Sequence, residues 1–348
     1  MTPGLADLLA DPRDGGPLSL RKQVLRDGRI ESGELVAADG AVYPIVRGIP
    51  RFVAPEMYET VRSFGDQWNH FNFDAFKQNW LDHTVANTFG DTSAFAGKVI
   101  VDAGGGSGAQ SLWMLESGAE RVILLDLSHS VDDVVSRNID VTKWPNFDAI
   151  QCSIDAPPLR RRSIRDYVIC HNVIQHTPSV EKTAEALYGI VAPGGAFVFN
   201  CYKAQTRGLM GFVRTHFVYR PVRAVLSRLP FGAILAYSKA VAALRLVPGL
   251  GYLLNKLRFC LSGRLPRVAG ESWLERKRRL YRQTVLNTFD MFGSHGYQHH
   301  VNDEDILALV DRLQPDRSAV GNLERYFRKP QPTGCALIVA RACQERMR

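Results

Sequence analysis

Two carboxylates, each placed at the end of an apolar run and separated by glycines, carry the clearest chemistry in this sequence. Residues 98–110 begin with the β-branched run Val99-Ile100-Val101, end it on Asp102, and continue through Gly104, Gly105, Gly106 and Gly108 into the apolar helical pattern Ser111-Leu112-Trp113-Met114-Leu115. A buried parallel strand, a tight glycine turn and a helix N-terminus make a nucleotide-binding corner. Glycine lets the backbone approach a ligand, and the helix end offers unpaired N–H groups. The spacing Asp102-x-Gly104-x-Gly106-x-Gly108 differs from the G-x-G-x-x-G of dinucleotide sites. An acid at that strand end sits badly beside a pyrophosphate and well beside an ammonium or sulfonium. A second buried run, Val122-Ile123-Leu124-Leu125, ends on Asp126, about 20 residues past the loop, where a ribose-binding carboxylate is expected. Asp126 can accept from both ribose hydroxyls, or it can cap the turn at Ser128-His129-Ser130.

These acids must be held by a sheet, and the next stretches read as its further strands. Residues 148–159 give a third strand with its loop. Residues 166–178 give a fourth, ending in His171-Asn172-Val173-Ile174-Gln175-His176-Thr177-Pro178, and Ala192-Pro193-Gly194-Gly195 turns into the strand 196–202. In order and separation these motifs resemble class I S-adenosylmethionine-dependent methyltransferases with a ubiquinone-methyltransferase-like core, over residues 98–203. That resemblance implies an α/β fold: a doubly wound, seven-stranded Rossmann-like sheet whose last strand, 334–341, runs antiparallel. It implies S-adenosyl-L-methionine as cofactor, held by Asp102, Gly104, Gly106, Gly108, Asp126, Leu127 and Asn172. The family's adenine-binding acid falls on Ser153 here, so that contact passes to Asp155, displaced by two, or to the backbone near Ile154. His176 is expected to point toward the methyl-transfer cleft, although a lone histidine is more often a satisfied polar residue.

Ahead of the core, residues 1–55 resemble the small zinc-ribbon domain found with tRNA-methyltransferase activators. Asp11 and Asp14 stand where the first cysteine pair belongs, and Ala37 and Asp39 lie near the second. A structural zinc site needs four nitrogen or sulfur ligands, so no metal is expected while the β-ribbon remains as a packing element. Residues 56–97 are rich in phenylalanine and tryptophan and read as an aromatic helical layer. By resemblance this layer is a lid, with Phe64, Gln67 and Trp68 as cofactor contacts.

Residues 204–300 interrupt the core with basic amphipathic helix, too broken by Lys239, Arg245 and Pro248 for a membrane span. The segment reads as a helical cap or as a substrate lid with an apolar, cation-fringed mouth suited to an amphiphilic, lipid-linked or phosphorylated acceptor. Peripheral membrane contact stays open. Its last residues, 290–300, carry clustered histidines and a tyrosine before a capped helix, and Tyr297 and His299 join His176 as catalytic candidates. One of the histidines would act as base and Tyr297 as an orienting hydrogen bonder; surface histidines capping the helix are the plain alternative. Residues 301–348 return to the core.

Composition limits the rest. The chain has 348 residues, a net charge of +8 and six cysteines without a C-x-x-C pair, which fits a protein of a reducing cytoplasm. No signal peptide is visible. The expected function is methyl transfer, most simply O-methylation, to a small molecule, a sugar or glycan, or a secondary metabolite. An RNA methyltransferase and a non-catalytic cofactor-binding scaffold are the alternatives, and no RNA-stacking module supports nucleic acid as a partner.

Overall fold

The computed structural model describes residues 1–53, 76–202, 208–261, 270–293, 296–320 and 335–341. Phe64, Gln67, Trp68 and His295 lie outside the described residues. The chain divides into two compact units: one of residues 1–203 and 297–348, the other of residues 204–296.

The first unit is built on β-branched runs. β1 (Ser19–Arg26), β2 (Arg29–Val36), β3 (Val42–Val46) and β4 (Ile49–Pro50) form an antiparallel four-stranded ribbon in sequential order. The second sheet contains β5 (Val99–Ala103), β6 (Arg121–Asp126), β7 (Phe147–Gln151), β8 (Tyr167–Cys170), β9 (Ala196–Tyr202), β10 (Arg317–Val320) and β11 (Cys335–Arg341). Its order is β10-β11-β9-β8-β5-β6-β7. From β9 to β7 the strands are parallel, and β11 runs antiparallel to both of its neighbours. The central strands are buried on both faces, which is why they read as unbroken apolar runs. β5 lies beside β8, which follows much later in the chain, so the order reverses there. A crevice at the strands' carboxyl ends is where such sheets take ligands.

α1 (Ala109–Glu116), α2 (Ser130–Asn138), α3 (Val180–Gly189) and α4 (Asp303–Leu313) belong to this unit. Part of the aromatic layer expected from residues 56–97 is described. Trp80 is buried against Trp113 of α1 and against Phe95, at ring distances of 5.3 and 5.7 Å. The N-terminal segment is no detached module, because Leu5, Leu9, Ile30, Leu35 and Ile45 share one apolar cluster with β5 to β9. The loop expected to carry the first cysteine pair closes through Asp11 N–H to the Gly16 carbonyl at 2.9 Å. The Arg13 guanidinium sits between Asp11 (2.6 Å) and Asp39 (2.8 Å), and Tyr43 donates to Asp11 at 3.0 Å. It holds the Asp39 carboxyl down at about 2 and lowers that of Asp11.

The second unit is helical. A run from Gly208 to Leu226 passes through a π-helical turn at Arg214–Tyr219, and two longer helices follow, α5 (Phe231–Arg245) and α6 (Trp273–Phe292) in order of description. Ser272 and Glu275 start the last of these with a reciprocal capping box.

Candidate active site

The glycine corner forms because the chain must reverse within four residues over the end of β5. Gly104, Gly106 and Gly108 take φ values of +79°, +55° and +75°, which residues with a Cβ adopt only at a cost. At Gly104 a Cβ would also lie 2.4 Å from Val173, and at Gly105 2.6 Å from Leu124. The loop is pinned to β6 by Gly104 N–H to the Leu125 carbonyl (2.6 Å) and by Gly106 N–H to Asp126 Oδ2 (2.8 Å).

Asp102 and Asp126 are both buried at the ends of neighbouring strands. Asp102 Oδ2 accepts from the Ser111 hydroxyl at 2.6 Å. Burial pushes its carboxyl up to about 6; the Ser111 bond opposes that shift and the charge of Asp126 adds to it. Burial also raises the Asp126 carboxyl, against its bonds from Ser128 and Gly106. Asp126 Oδ1 accepts from both N–H and Oγ of Ser128, at 2.8 and 2.6 Å. With Gly106 on Oδ2, three of its roughly four acceptor positions are filled. The capping expectation for this acid is met by Ser128, and one acceptor position of the carboxylate is left over. Ser128 Oγ lies 2.7 Å from Ser130 Oγ, an alternative partner should a second position be needed.

No ion pair to either carboxylate occurs among the described residues. Two desolvated acids beside close-approach glycines fit a ligand that brings a cation and hydroxyl donors together, and S-adenosylmethionine has both. Leu127 is half-buried and its carbonyl accepts from Gln151 at 3.2 Å. Ile154 is buried and Asp155 half-buried. Asn172 takes the left-handed conformation, φ +61°, and exchanges bonds with Asn200: N–H to Oδ1 and Nδ2 to Oδ1, both 2.6 Å.

The catalytic candidates come together within the first unit. His176 Nδ1 donates to the Tyr297 carbonyl at 3.1 Å, and its ring meets Tyr202 edge-on. His299 N–H donates to the Gln175 carbonyl (2.8 Å) and Nε2 to the Thr177 carbonyl (3.0 Å). The Tyr297 and His299 rings stack, and the Tyr297 side chain is exposed. In the neutral form these bonds put the proton of His299 on Nε2, so Nδ1 is its basic position.

Sequence reasoning passed over His171 and Arg51. His171 follows β8 directly and is half-buried at the residue level. Burial lowers its imidazole to about 4. Its Nδ1 lies 3.1 Å from Gln110 Nε2 and its Nε2 3.2 Å from Thr84 Oγ1, so the neutral Nε2–H tautomer satisfies both. The signal was available: His171 ends a central strand just as Asp102 and Asp126 do. Arg51, at the end of the ribbon, grips both oxygens of Asp132 in α2 (2.9 and 2.6 Å) and Gln151 Oε1 (2.8 Å). Gln151 in turn holds the Leu127 carbonyl. Nothing local in the sequence announces that link, which joins residues 81 and 100 positions apart.

Comparison with known proteins agrees with this reading of the corner. A protein-family model described as a methyltransferase domain matches residues 101–199. The chain is 28% identical over 144 residues to a ubiquinone biosynthesis O-methyltransferase of Shewanella pealeana, covering 41% of this chain and 56% of that one. It is 22% identical over 160 residues to the protein of the same name from Acinetobacter baylyi, covering 44% and 64%. It thus spans between half and two thirds of the length of these relatives. Among solved structures, an O-methyltransferase family protein from Burkholderia thailandensis superposes with a TM-score of 0.42 at 14% identity, over 83% of this chain and 64% of the other. The stretch 101–199, which holds the glycine corner and the paired strand-end acids, is thus similar to a methyltransferase domain, and the residues of the corner suit S-adenosylmethionine as cofactor.

Proposed function

We propose that this protein transfers the methyl group of S-adenosylmethionine to an oxygen of a small-molecule acceptor, a sugar or glycan, or a secondary metabolite, in a reducing cytoplasm. The observation that carries the reading is the pair Asp102 and Asp126, buried at adjacent strand ends beside the glycine turn. The curated relatives' name, with its O-methyltransferase activity, favours oxygen as the accepting atom. Cys152, Cys170, Cys201 and Cys260 are free and buried, in keeping with that compartment.

When bound, the cofactor supplies an electrophilic methyl on a sulfonium centre. The chain's own residues then have three tasks. Asp102 offers a desolvated carboxylate to the cationic end, and Asp126 accepts a ribose hydroxyl at its open position. Leu127, Ile154 and Asp155 border the adenine, and Asn172, with its backbone turned by the left-handed φ, lines the strand end. His299 Nδ1 or His176 takes the acceptor's hydroxyl proton, and Tyr297 orients that hydroxyl. A histidine in this role contributes typically about 10²–10⁴-fold; positioning supplies the remainder.

The test is methyl transfer from labelled cofactor to fractionated small metabolites, glycolipids and bulk RNA. Label in a small-molecule or glycan fraction that hot hydriodic acid releases as methyl iodide, as it does from an O-methyl and not from a C-methyl group, supports the proposal. Label confined to RNA, or none with cofactor binding intact, rejects it.

A further inference from the structure

The second unit has a charge balance unlike the rest of the chain. Residues 204–296 hold sixteen lysines and arginines against three acids, and residues 204–270 contain eleven cations and no aspartate or glutamate. The remainder of the chain carries 27 cations against 32 acids. A modest net charge of +8 therefore conceals a segment of +13.

The same unit exposes apolar surface. Among the described residues, fourteen of the twenty exposed large hydrophobic side chains belong to it. Leu209 is 80% exposed, Phe217 70%, Trp273 69%, Tyr252 67% and Val225 63%. Along the helical run from Gly208, one side buries Gly211, Thr215, Tyr219 and Leu226. The opposite side presents Leu209, Val213 and Phe217, then Arg220 and Arg228. Two exposed aromatics carry an ammonium over the ring from the next helical turn: Lys277 over Trp273 at 4.0 Å and Lys256 over Tyr252 at 5.6 Å. Aromatic rings and long cationic stems are the side chains that settle where hydrocarbon meets water.

A surface of this kind needs a partner that is anionic and apolar at once. Nucleic acid would neutralise the cations but leave leucine, valine and phenylalanine in water. An anionic bilayer accepts both, the cations at its phosphates and the apolar side chains at the edge of the acyl layer. No helix among the described residues is long and apolar enough to cross a membrane, so such contact is interfacial. We propose that residues 204–296 dock this protein on the surface of an anionic lipid bilayer. The proposal stands independently of the methyl-transfer reading.

The test is flotation of the full-length protein with vesicles. Vesicles of phosphatidylcholine with about one-third phosphatidylglycerol should carry the protein upward, pure phosphatidylcholine should carry far less, and rising salt should weaken the association. Arg228→Gln with Lys239→Gln should reduce partitioning by roughly fivefold per cation removed. Leu209→Ser with Phe217→Ser should reduce it also at high anionic lipid content. Trp273 emission should shift to the blue on vesicle addition, and the Trp273→Phe variant should lose that shift. Unchanged thermal melting of each variant separates lost docking from lost folding. Equal behaviour with both vesicle types, wild-type binding by both double variants, or capture by bulk transfer RNA without vesicle binding would overturn the proposal.

Discussion

At the scale of single residues, burial moves the titration of two groups at the site away from their ordinary ranges. Asp102 is raised to about 6 and His171 is lowered to about 4, and these shifts act on stability with opposite sign. A raised carboxyl gives the folded state the proton first, so its ionisation removes stability as pH rises from about 4 to 6. A lowered imidazole makes the unfolded chain the tighter proton binder, so stability is lost as pH falls from about 6.5 to 4. The two nearly offset one another. Asp102→Asn removes only the first, so thermal melts of that variant should gain about 2 kcal/mol over the parent at pH 7 and fall off more steeply toward pH 4. The same carboxylate sets cofactor affinity, since a cation recruits only its ionised form. Calorimetry should show affinity rising about tenfold per pH unit to near pH 6 and then levelling, with the Asn variant flat. An Asp126→Ala variant should bind S-adenosylmethionine about 1–3 kcal/mol more weakly, because donors at the turn and on the ribose lose their acceptor; unchanged affinity would remove the ribose assignment. These acids were legible in the sequence because residue type and strand-end position coincide. His171 was not singled out, because its role depends on Thr84 and Gln110 meeting it in space.

At the scale of elements, the ribbon supports the cofactor loops. Arg51 couples it to α2 and, through Gln151, to the Leu127 carbonyl, while β4 runs beside β7 with Phe52 N–H on the Gln151 carbonyl at 2.8 Å. Arg51 and Asp132 are both largely buried. Among the described residues, Arg51→Met leaves Asp132 only the exposed Arg47 as ion-pair partner and should cost roughly 1–3 kcal/mol of stability and weaken cofactor binding together with it; loss of stability alone would confine Arg51 to a packing role. The same ribbon holds a compact ionic cluster where the sequence resemblance put metal ligands. Asp11 and Asp39 converge on the Arg13 guanidinium, which balances both carboxylates without a metal ion. Elemental analysis should find no stoichiometric zinc, chelators should leave the melting temperature unchanged, and Arg13→Ala should lower it. The ribbon's outline was legible from the resemblance of residues 1–55 to a small β-ribbon domain. Its integration into the core was not, because apolar residues such as Leu5, Leu9 and Ile30 look alike whether they close a small module or extend a large core.

At the scale of the whole molecule, the sequence motifs that announce the cofactor all fall in one unit, and the charge and exposed apolar surface fall largely in the other. The parallel sheet was readable because central strands leave long apolar runs ending in informative residues. The second unit was read as basic amphipathic helix, a cap or a substrate lid with membrane contact left open, since helical periodicity says which face is apolar but not whether protein covers it. Its bounds have a consequence for dissection. The chain leaves the first unit after β9 and returns at Tyr297, and Val301 N–H donates to the Tyr202 carbonyl at 2.9 Å. The two ends of the inserted segment therefore emerge close together, so a short flexible linker can replace residues 204–296 without stretching the sheet. Every described residue assigned to the cofactor stays in the retained unit, as do His176, Tyr297 and His299. The shortened protein should fold cooperatively and bind S-adenosylmethionine within about an order of magnitude of the full chain. It should no longer float with anionic vesicles, and turnover of an amphiphilic acceptor should fall much further than cofactor affinity. If cofactor binding vanished while the shortened protein still melted cooperatively, residues 204–296 would have to contribute to the cofactor site itself, and the division of labour between the units would be wrong.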